Sequence, residues 1–240
     1  VIGIEANKPD AIEVMQRTAP SDLEVSVQPL KVKYPQGAEK MLIKAVTGRE
    51  VPSGKLPASV GALVQNVVTT ANVARIFETG QPLIERIMTI SGRGIRQPGN
   101  WVIPFGTKLH DVIEACGGLT DDAAEIVFGG PMMGQSQASL DVPVLKATGG
   151  ILILSKDECK RQDILPCIRC GKCIDACPVF LNPQLLGSLA RVERFEEMKE
   201  EAHLGDCMLC GCCSFVCPSN IPLSQMFAMA RIQLGRLARK

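Results

Sequence analysis

One motif dominates this sequence: Cys167-Ile-Arg-Cys170-Gly-Lys-Cys173-Ile-Asp-Ala-Cys177-Pro178, which returns as Cys207-Met-Leu-Cys210-Gly-Cys-Cys213-Ser-Phe-Val-Cys217-Pro218. Both strings have the spacing C-x2-C-x2-C-x3-C-P, and the second begins 40 residues after the first. The same offset relates residues outside the cysteines, since Ala190-Arg191-Val192 matches Ala230-Arg231-Ile232. We interpret the segment as an internal duplication of a metal-binding motif.

The cysteine pattern favours iron–sulfur clusters over zinc or disulfides. Nine of the 11 cysteines fall between Cys167 and Cys217, whereas a secreted disulfide scaffold would spread them along a short chain. Structural zinc needs four ligands, usually two C-x2-C pairs, so a third cysteine followed by Cys-Pro has no role in a zinc site. The spacing is that of bacterial [4Fe–4S] ligands. The sequence therefore predicts two [4Fe–4S] clusters.

The ligand sets are expected to cross between the two copies. In two-cluster proteins with this spacing, the last cysteine of each motif binds the other cluster. The first cluster is assigned to Cys167, Cys170, Cys173 and Cys217, and the second to Cys207, Cys210, Cys213 and Cys177. Cys212, Cys116 and Cys159 are interpreted as packing residues. Arg169 and Lys172 either raise the potential of the first cluster or are solvated surface cations.

The chain divides into four segments by pattern. Residues 1–81 alternate helix and strand patterns and are expected to form part of an α/β core. Residues 82–130 show the order strand, turn, strand, helix, strand of a β-grasp module, and residues 131–158 are expected to return to the core. Residues 159–240 are expected to form a helical dicluster domain, with a continuous helical pattern from Pro183 to about His203.

Composition excludes several function classes. The net charge of +1 and the aromatic content of 4% argue against a nucleic-acid partner. No apolar run approaches the ~18 residues of a membrane span. The chain opens at Val1 without an initiator Met or a signal peptide, so it is expected to be cut from a longer protein.

Three further phrases connect the chain to a known family: Lys33-Tyr-Pro-Gln-Gly-Ala-Glu-Lys40, Gly129-Gly-Pro-Met-Met-Gly134 and Leu140-Asp-Val-Pro-Val144. Together with the two cysteine motifs they resemble the C subunit of the Rnf electron-transport complexes, over essentially all of the chain. That protein is similar in turn to the NADH-binding flavoprotein subunit of respiratory complex I.

The resemblance implies an α/β flavoprotein-core segment with a β-grasp (SLBB) insert, followed by an α-helical ferredoxin domain. It also implies FMN as a cofactor, NADH as a substrate, and electron exchange with ferredoxin-like carriers coupled to ion pumping by other subunits of the complex. The expected location is peripheral, on the cytoplasmic side of the cell membrane, with no direct membrane span.

The resemblance also places four residues near FMN. Gly3 and Glu5 would lie at a strand end against the flavin, and Asn66 and Thr69 would supply hydrogen bonds near a helix start. Asn66 is equally interpretable as a helix cap. The family places its glycine-rich nucleotide loop before the position of Val1, so this segment alone is not expected to oxidise NADH.

Two alternatives remain open from the sequence. A cobalamin-reductase subunit has the same layout with a different electron acceptor. From another class, the chain could be a binding module with structural clusters and a ligand-holding β-grasp. Redox-inert clusters would favour the binding module.

Overall fold

A computed structural model describes residues 1–159 and 162–237 of the chain. The chain forms two compact units, Val1–Gln65 and Asn66–Lys240.

The first unit is a small α/β layer. Strands β1 and β2 pair in parallel, with Ile2 opposite Val27, and the helices connect and follow them. Its elements are β1 (Ile2–Glu5), α1 (Pro9–Thr18), β2 (Val27–Leu30), α2 (Glu39–Thr47) and a 3-10 turn (Pro57–Val60). Helix α1 begins at a proline, which lacks the N–H that a first helical turn leaves unpaired. Helix α2 ends at Gly48, which takes a left-handed conformation with φ 72° and donates its N–H to the carbonyl of Lys44.

The second unit starts with helix α3 (Val67–Thr79) and continues into a mixed five-stranded sheet. The sheet elements are β3 (Glu85–Ser91), β4 (Gly99–Pro104), α4 (Leu109–Ala115), β5 (Ala123–Phe128), β6 (Gln135–Ser136) and β7 (Gly150–Ser155). Within the described residues the strand order is β4-β3-β7-β5-β6, where β3 and β7 are parallel and the other neighbours are antiparallel. A hairpin, a helix on one face and a central parallel strand define a β-grasp fold.

The central strand of this sheet lies outside the segment that the sequence assigned to the β-grasp. Strand β7 belongs to residues 131–158, which were expected to return to the α/β core, yet it pairs with β3 and β5. Its alternate residues Ile151 and Ile153 are buried in the core beneath α4, with Met88 and Leu109. Residues 151–154 are all apolar because one face of the strand is buried and the other is half-buried, so the sequence shows no alternation to recognise.

The helical module follows the sheet and contains a second core. Its elements are α5 (Lys172–Asp175), α6 (Pro183–Arg191), α7 (Phe195–Glu200), a 3-10 turn (Leu204–Asp206), α8 (Cys212–Phe215) and α9 (Leu223–Leu237). The helix expected from Pro183 to His203 is interrupted, because Glu193 takes φ 56° and ends α6. The break lets Met198 of α7 and Leu204 pack with Leu186 in the core.

Among the helices in the described ranges, none has the length and apolar content that a membrane crossing requires.

Candidate metal centres

The two cysteine loops have the same backbone. Arg169 and Leu209, which stand 40 residues apart, both take left-handed conformations with φ 55° and 54°. Gly171 and Gly211 follow with φ 80° and 82° and begin the short helices α5 and α8. A non-glycine residue with positive φ costs about 1–3 kcal/mol and persists where the surrounding structure imposes it. The duplication therefore preserves an uncommon loop geometry as well as a sequence.

This loop geometry directs backbone donors toward sulfur. The N–H of Arg169 points at Cys167 Sγ with an N···S distance of 3.4 Å. The N–H of Leu209 makes the same contact with Cys207 Sγ at 3.5 Å. Such bonds stabilise negative charge on thiolates and on the sulfurs of a cluster. Each loop thus provides a preformed environment for anionic sulfur.

The eight motif cysteines surround two cavities in two sets of four. The first cavity, about 60 Å³, is lined by Cys167, Cys170, Cys173 and Cys217. The second, about 20 Å³, is lined by Cys177, Cys207, Cys210 and Cys213, and also by Cys212, which lies outside the motif spacing. Each set takes three cysteines from one copy of the motif and the fourth from the other copy. The structure therefore brings together the same groups of side chains that the sequence assigned.

Three of these thiols have a raised pKa. Burial raises the pKa of Cys213 to about 12, with further contributions from Cys207 and other neighbouring thiols. Burial likewise raises the pKa of Cys207 and of Cys173. A thiol is deprotonated when it coordinates a metal, so metal binding at these positions releases protons. Four convergent soft donors in each set match the ligand requirements of an iron–sulfur cluster.

An arginine fixes the loop of the second centre. Arg231 of α9 donates from Nη2 to the carbonyls of Leu204, at 2.9 Å, and Gly205, at 3.1 Å, and also to the carbonyl of Cys207. Its charge lowers the pKa of Cys207, against the larger effect of burial. Its duplicate, Arg191, lines the first cavity. The sequence alone assigned no role to Arg191 or Arg231. The signal that could have pointed to them is the repeat of Ala-Arg-Val as Ala-Arg-Ile in the second copy.

Three cysteines lie outside the two sets. Cys212 lines the second cavity next to the set of four, and burial and the neighbouring Cys210 raise its pKa to about 11. Cys116 is fully buried in the β-grasp core, which is the packing role expected for it. Cys159 is half-buried at the turn after β7, where burial and then Glu125 raise its pKa.

The four residues expected near FMN are distributed over both units. In the first unit, Gly3 packs so tightly that a Cβ there would lie 2.9 Å from Leu30 Cδ1 and from Leu42 Cδ1. Glu5 forms an ion pair with Lys8 at 3.0 Å. The close packing around Gly3 is sufficient to explain why a side chain is absent at that position.

In the second unit, Asn66 is the N-terminal cap of α3. Its Oδ1 accepts a hydrogen bond from the N–H of Val68 at 3.0 Å and another from Arg86 Nη2 at 3.3 Å. Thr69 lies half-buried in the first turn of the same helix. The capping interpretation of Asn66 thus has a direct structural basis.

Three family models match successive segments of the chain. Residues 1–75 match the Nuo51 FMN-binding domain, residues 87–136 match the SLBB domain, and residues 163–221 match the 4Fe-4S dicluster domain. The chain therefore combines segments that are similar to an FMN-binding domain, an SLBB domain and a 4Fe-4S dicluster domain.

The chain is also similar to named subunits of ion-translocating oxidoreductase complexes. The chain is 49% identical over 85% of its length to the C subunit of the proton-translocating ferredoxin:NAD(+) oxidoreductase complex of Clostridium ljungdahlii. It is 47% identical over 76% of its length to the C subunit of the Na(+)-translocating complex of Acetobacterium woodii. It is 41% identical over its whole length to the C subunit of the ion-translocating oxidoreductase complex of Rhodobacter capsulatus.

The chain is thus a homologue of these C subunits, as the resemblance in its sequence predicted. It spans 45%, 41% and 46% of the lengths of the three relatives, respectively.

A solved structure has a related fold. A chain of the NAD+-reducing [NiFe]-hydrogenase in the H2-reduced state matches 97% of this chain with a TM-score of 0.58. The identity is 18%, and the match covers 46% of that hydrogenase chain. At this identity the comparison establishes a shared fold.

Proposed function

We propose that this chain is the electron-transfer segment of the C subunit of a membrane-associated NADH:ferredoxin oxidoreductase complex coupled to ion translocation. The observation that carries the proposal is the grouping of eight cysteines into two sets of four, each completed by the other copy of the motif. The names of the relatives add the redox partners, ferredoxin and NAD(+), and the coupling to ion movement.

The proposed cofactors are two [4Fe–4S] clusters and FMN. Cys167, Cys170, Cys173 and Cys217 hold the first cluster, and Cys207, Cys210, Cys213 and Cys177 hold the second. The match of residues 1–75 to an FMN-binding domain supports FMN, with Gly3, Glu5, Asn66 and Thr69 as its proposed contacts and NADH as the substrate of the whole protein. When bound, these groups supply the redox chemistry: hydride exchange at the flavin and single-electron transfer at the clusters.

The residues of the chain position and stabilise these groups. The backbone N–H groups of Arg169 and Leu209 donate to ligand sulfurs and stabilise negative charge on them. Arg231 fixes the carbonyls around Cys207. Cys177 follows the first loop but belongs to the second set, and Cys217 follows the second loop but belongs to the first set. The chain therefore links each cluster to both loops, and these links set the distance between the two clusters.

The proposed partners are the other subunits of the complex and ferredoxin-like electron carriers. The relatives are each named as one subunit of a complex, which supports the first. We place the chain peripherally, on the cytoplasmic side of the cell membrane, in keeping with the ion-translocating complexes to which its relatives belong.

The test is a redox titration of anaerobically loaded protein. Electron paramagnetic resonance during a dithionite titration should show both centres accepting one electron each, reversibly. Clusters that stay silent throughout the titration would contradict electron transfer and would favour a binding module with structural clusters.

A further inference from the structure

The two cysteine loops differ in exposure although they share a backbone. Cys167 and Cys170 of the first loop are exposed, whereas Cys210 is 7% exposed and Cys213 is 8% exposed. The exposed stretch of the first loop is continuous over residues 162–170. Identical local geometry cannot produce this difference, so another part of the fold must cover the second loop.

Cys213 packs in the helical core with Leu186 and Phe227, and the β-grasp module adds a further part of the cover. A Cβ at Gly211 would lie 2.7 Å from the carbonyl oxygen of Met132 and 3.5 Å from its Cε. At the duplicate position, Gly171, no heavy atom of the described residues, chain neighbours aside, lies within 4 Å of such a Cβ. The turn Gly129–Gly134 therefore contacts the second loop directly, and the first loop has no equivalent neighbour among the described residues.

The turn is built to hold a fixed position. Gly129 takes φ 109°, and the N–H of Gly134 donates to the carbonyl of Gly130 at 2.8 Å. A Cβ at Gly134 would lie 2.3 Å from Val127 Cγ1. Since strand β5 ends and β6 begins on either side of the turn, its backbone is anchored to the sheet at both ends.

We infer that the turn Gly129–Gly134 shields the second centre and leaves the first as the centre that solvent and small reagents reach. This inference rests on the proposed function, because it concerns the clusters themselves. It assigns a role to the Gly-Gly-Pro-Met-Met-Gly phrase and makes the SLBB-type module a positioning and shielding element. Met132 is the positioning residue, and it acts on the second centre through Gly211.

Shielding has a consequence for electron transfer. Reduction adds negative charge to a cluster, and burial disfavours the more highly charged state. The second centre therefore has the lower potential. The first centre also has Arg169 and Lys172 where the second has Leu209 and Cys212, which favours its reduced state further. An electron shared by the two centres resides mostly on the first.

The experiment measures how fast each cluster is lost to a reagent in solution. The loaded chain is treated anaerobically with a soluble iron chelator, freed thiols are alkylated at intervals, and the alkylated cysteines are mapped by mass spectrometry. The cysteines alkylated first should be those of the first centre, Cys167, Cys170, Cys173 and Cys217. Their alkylation should be about tenfold faster than that of the second centre's cysteines, as a modest difference in local opening would produce.

Substitutions at two neighbouring methionines test whether the turn causes the difference in release rate. Met132→Ala should bring the two release rates at least about threefold closer, since it removes the Cε that packs beside Gly211 and leaves only the backbone carbonyl there. Met133→Ala is the matched control, because that side chain is 55% exposed on the same turn, and it should leave the ratio unchanged.

The outcomes separate this inference from the proposed function. A chain that retains two clusters but releases them at equal rates overturns the inference alone, as does a Met132→Ala variant that behaves like Met133→Ala. A chain that holds no cluster overturns the inference and the proposed function together.

Discussion

Replacing Arg231 by glutamine should destabilise the helical module and its second centre. Nη2 of Arg231 faces three carbonyls, of Leu204, Gly205 and Cys207, but it has two N–H groups, so two strong bonds can form at once. A hydrogen bond from a charged donor contributes about 1.5–3 kcal/mol. Two bonds at the lower end give a loss of about 3 kcal/mol in the free energy of unfolding.

The assay is urea unfolding of the loaded protein under anaerobic conditions, followed by the visible absorbance of the clusters. Arg236→Gln is the matched control, because Arg236 lies on the same helix and is exposed. We expect the midpoint of Arg231→Gln to fall clearly and the stability of Arg236→Gln to stay within about 0.5 kcal/mol of the unaltered protein. Equal stabilities for the two variants would refute the anchoring role of Arg231.

Three further substitutions probe the ligands, the cap and the charge of the first loop. Cys177→Ser should perturb the cluster held by Cys207, Cys210 and Cys213, as read from electron paramagnetic resonance, while Cys212→Ala leaves both clusters bound; loss of the first cluster's signal would speak against crossed ligation. Asn66→Ala should lower the free energy of unfolding by about 1 kcal/mol in chemical unfolding. Asn66→Asp, which can still cap α3, should keep most of that stability. Equal stability of the two variants and the unaltered protein would rule out the capping role. Lys172→Gln should lower the potential of the first centre by roughly 40 mV, the equivalent of about 1 kcal/mol of Coulomb attraction near a surface, whereas Lys199→Gln on α7 should not; equal shifts would mean that local charge does not tune that centre.

The cysteine sets could be predicted because the cluster fixes the spacing of its ligands. Three thiolates around one cluster need a tight loop, so their separation in sequence is short and regular. The fourth ligand was placed by the rule of exchange between copies, and the structure brings Cys217 to the first set and Cys177 to the second. Local pattern likewise predicted the order strand, turn, strand, helix, strand within residues 82–130, which β3, β4, α4 and β5 show.

Features that depend on long-range packing could not be predicted from local pattern. Strand β7 is apolar on both its buried and its half-buried face, so its sequence shows no alternation. Its place between β3 and β5 depends on pairing with residues far away in the sequence. The break at Glu193 has no glycine or proline to mark it and arises because Met198 packs into the core. The contact of Met132 with Gly211 joins two modules whose sequences give no sign of their relative placement.

Eight thiolates from the two crossed motifs are proposed to hold two cubane clusters. The most direct measurement is the content of iron and acid-labile sulfide in anaerobically reconstituted protein. We predict about eight irons and about eight sulfides per chain, four of each per cluster. A ratio near four irons per chain, or stoichiometric zinc in place of iron, would contradict the account.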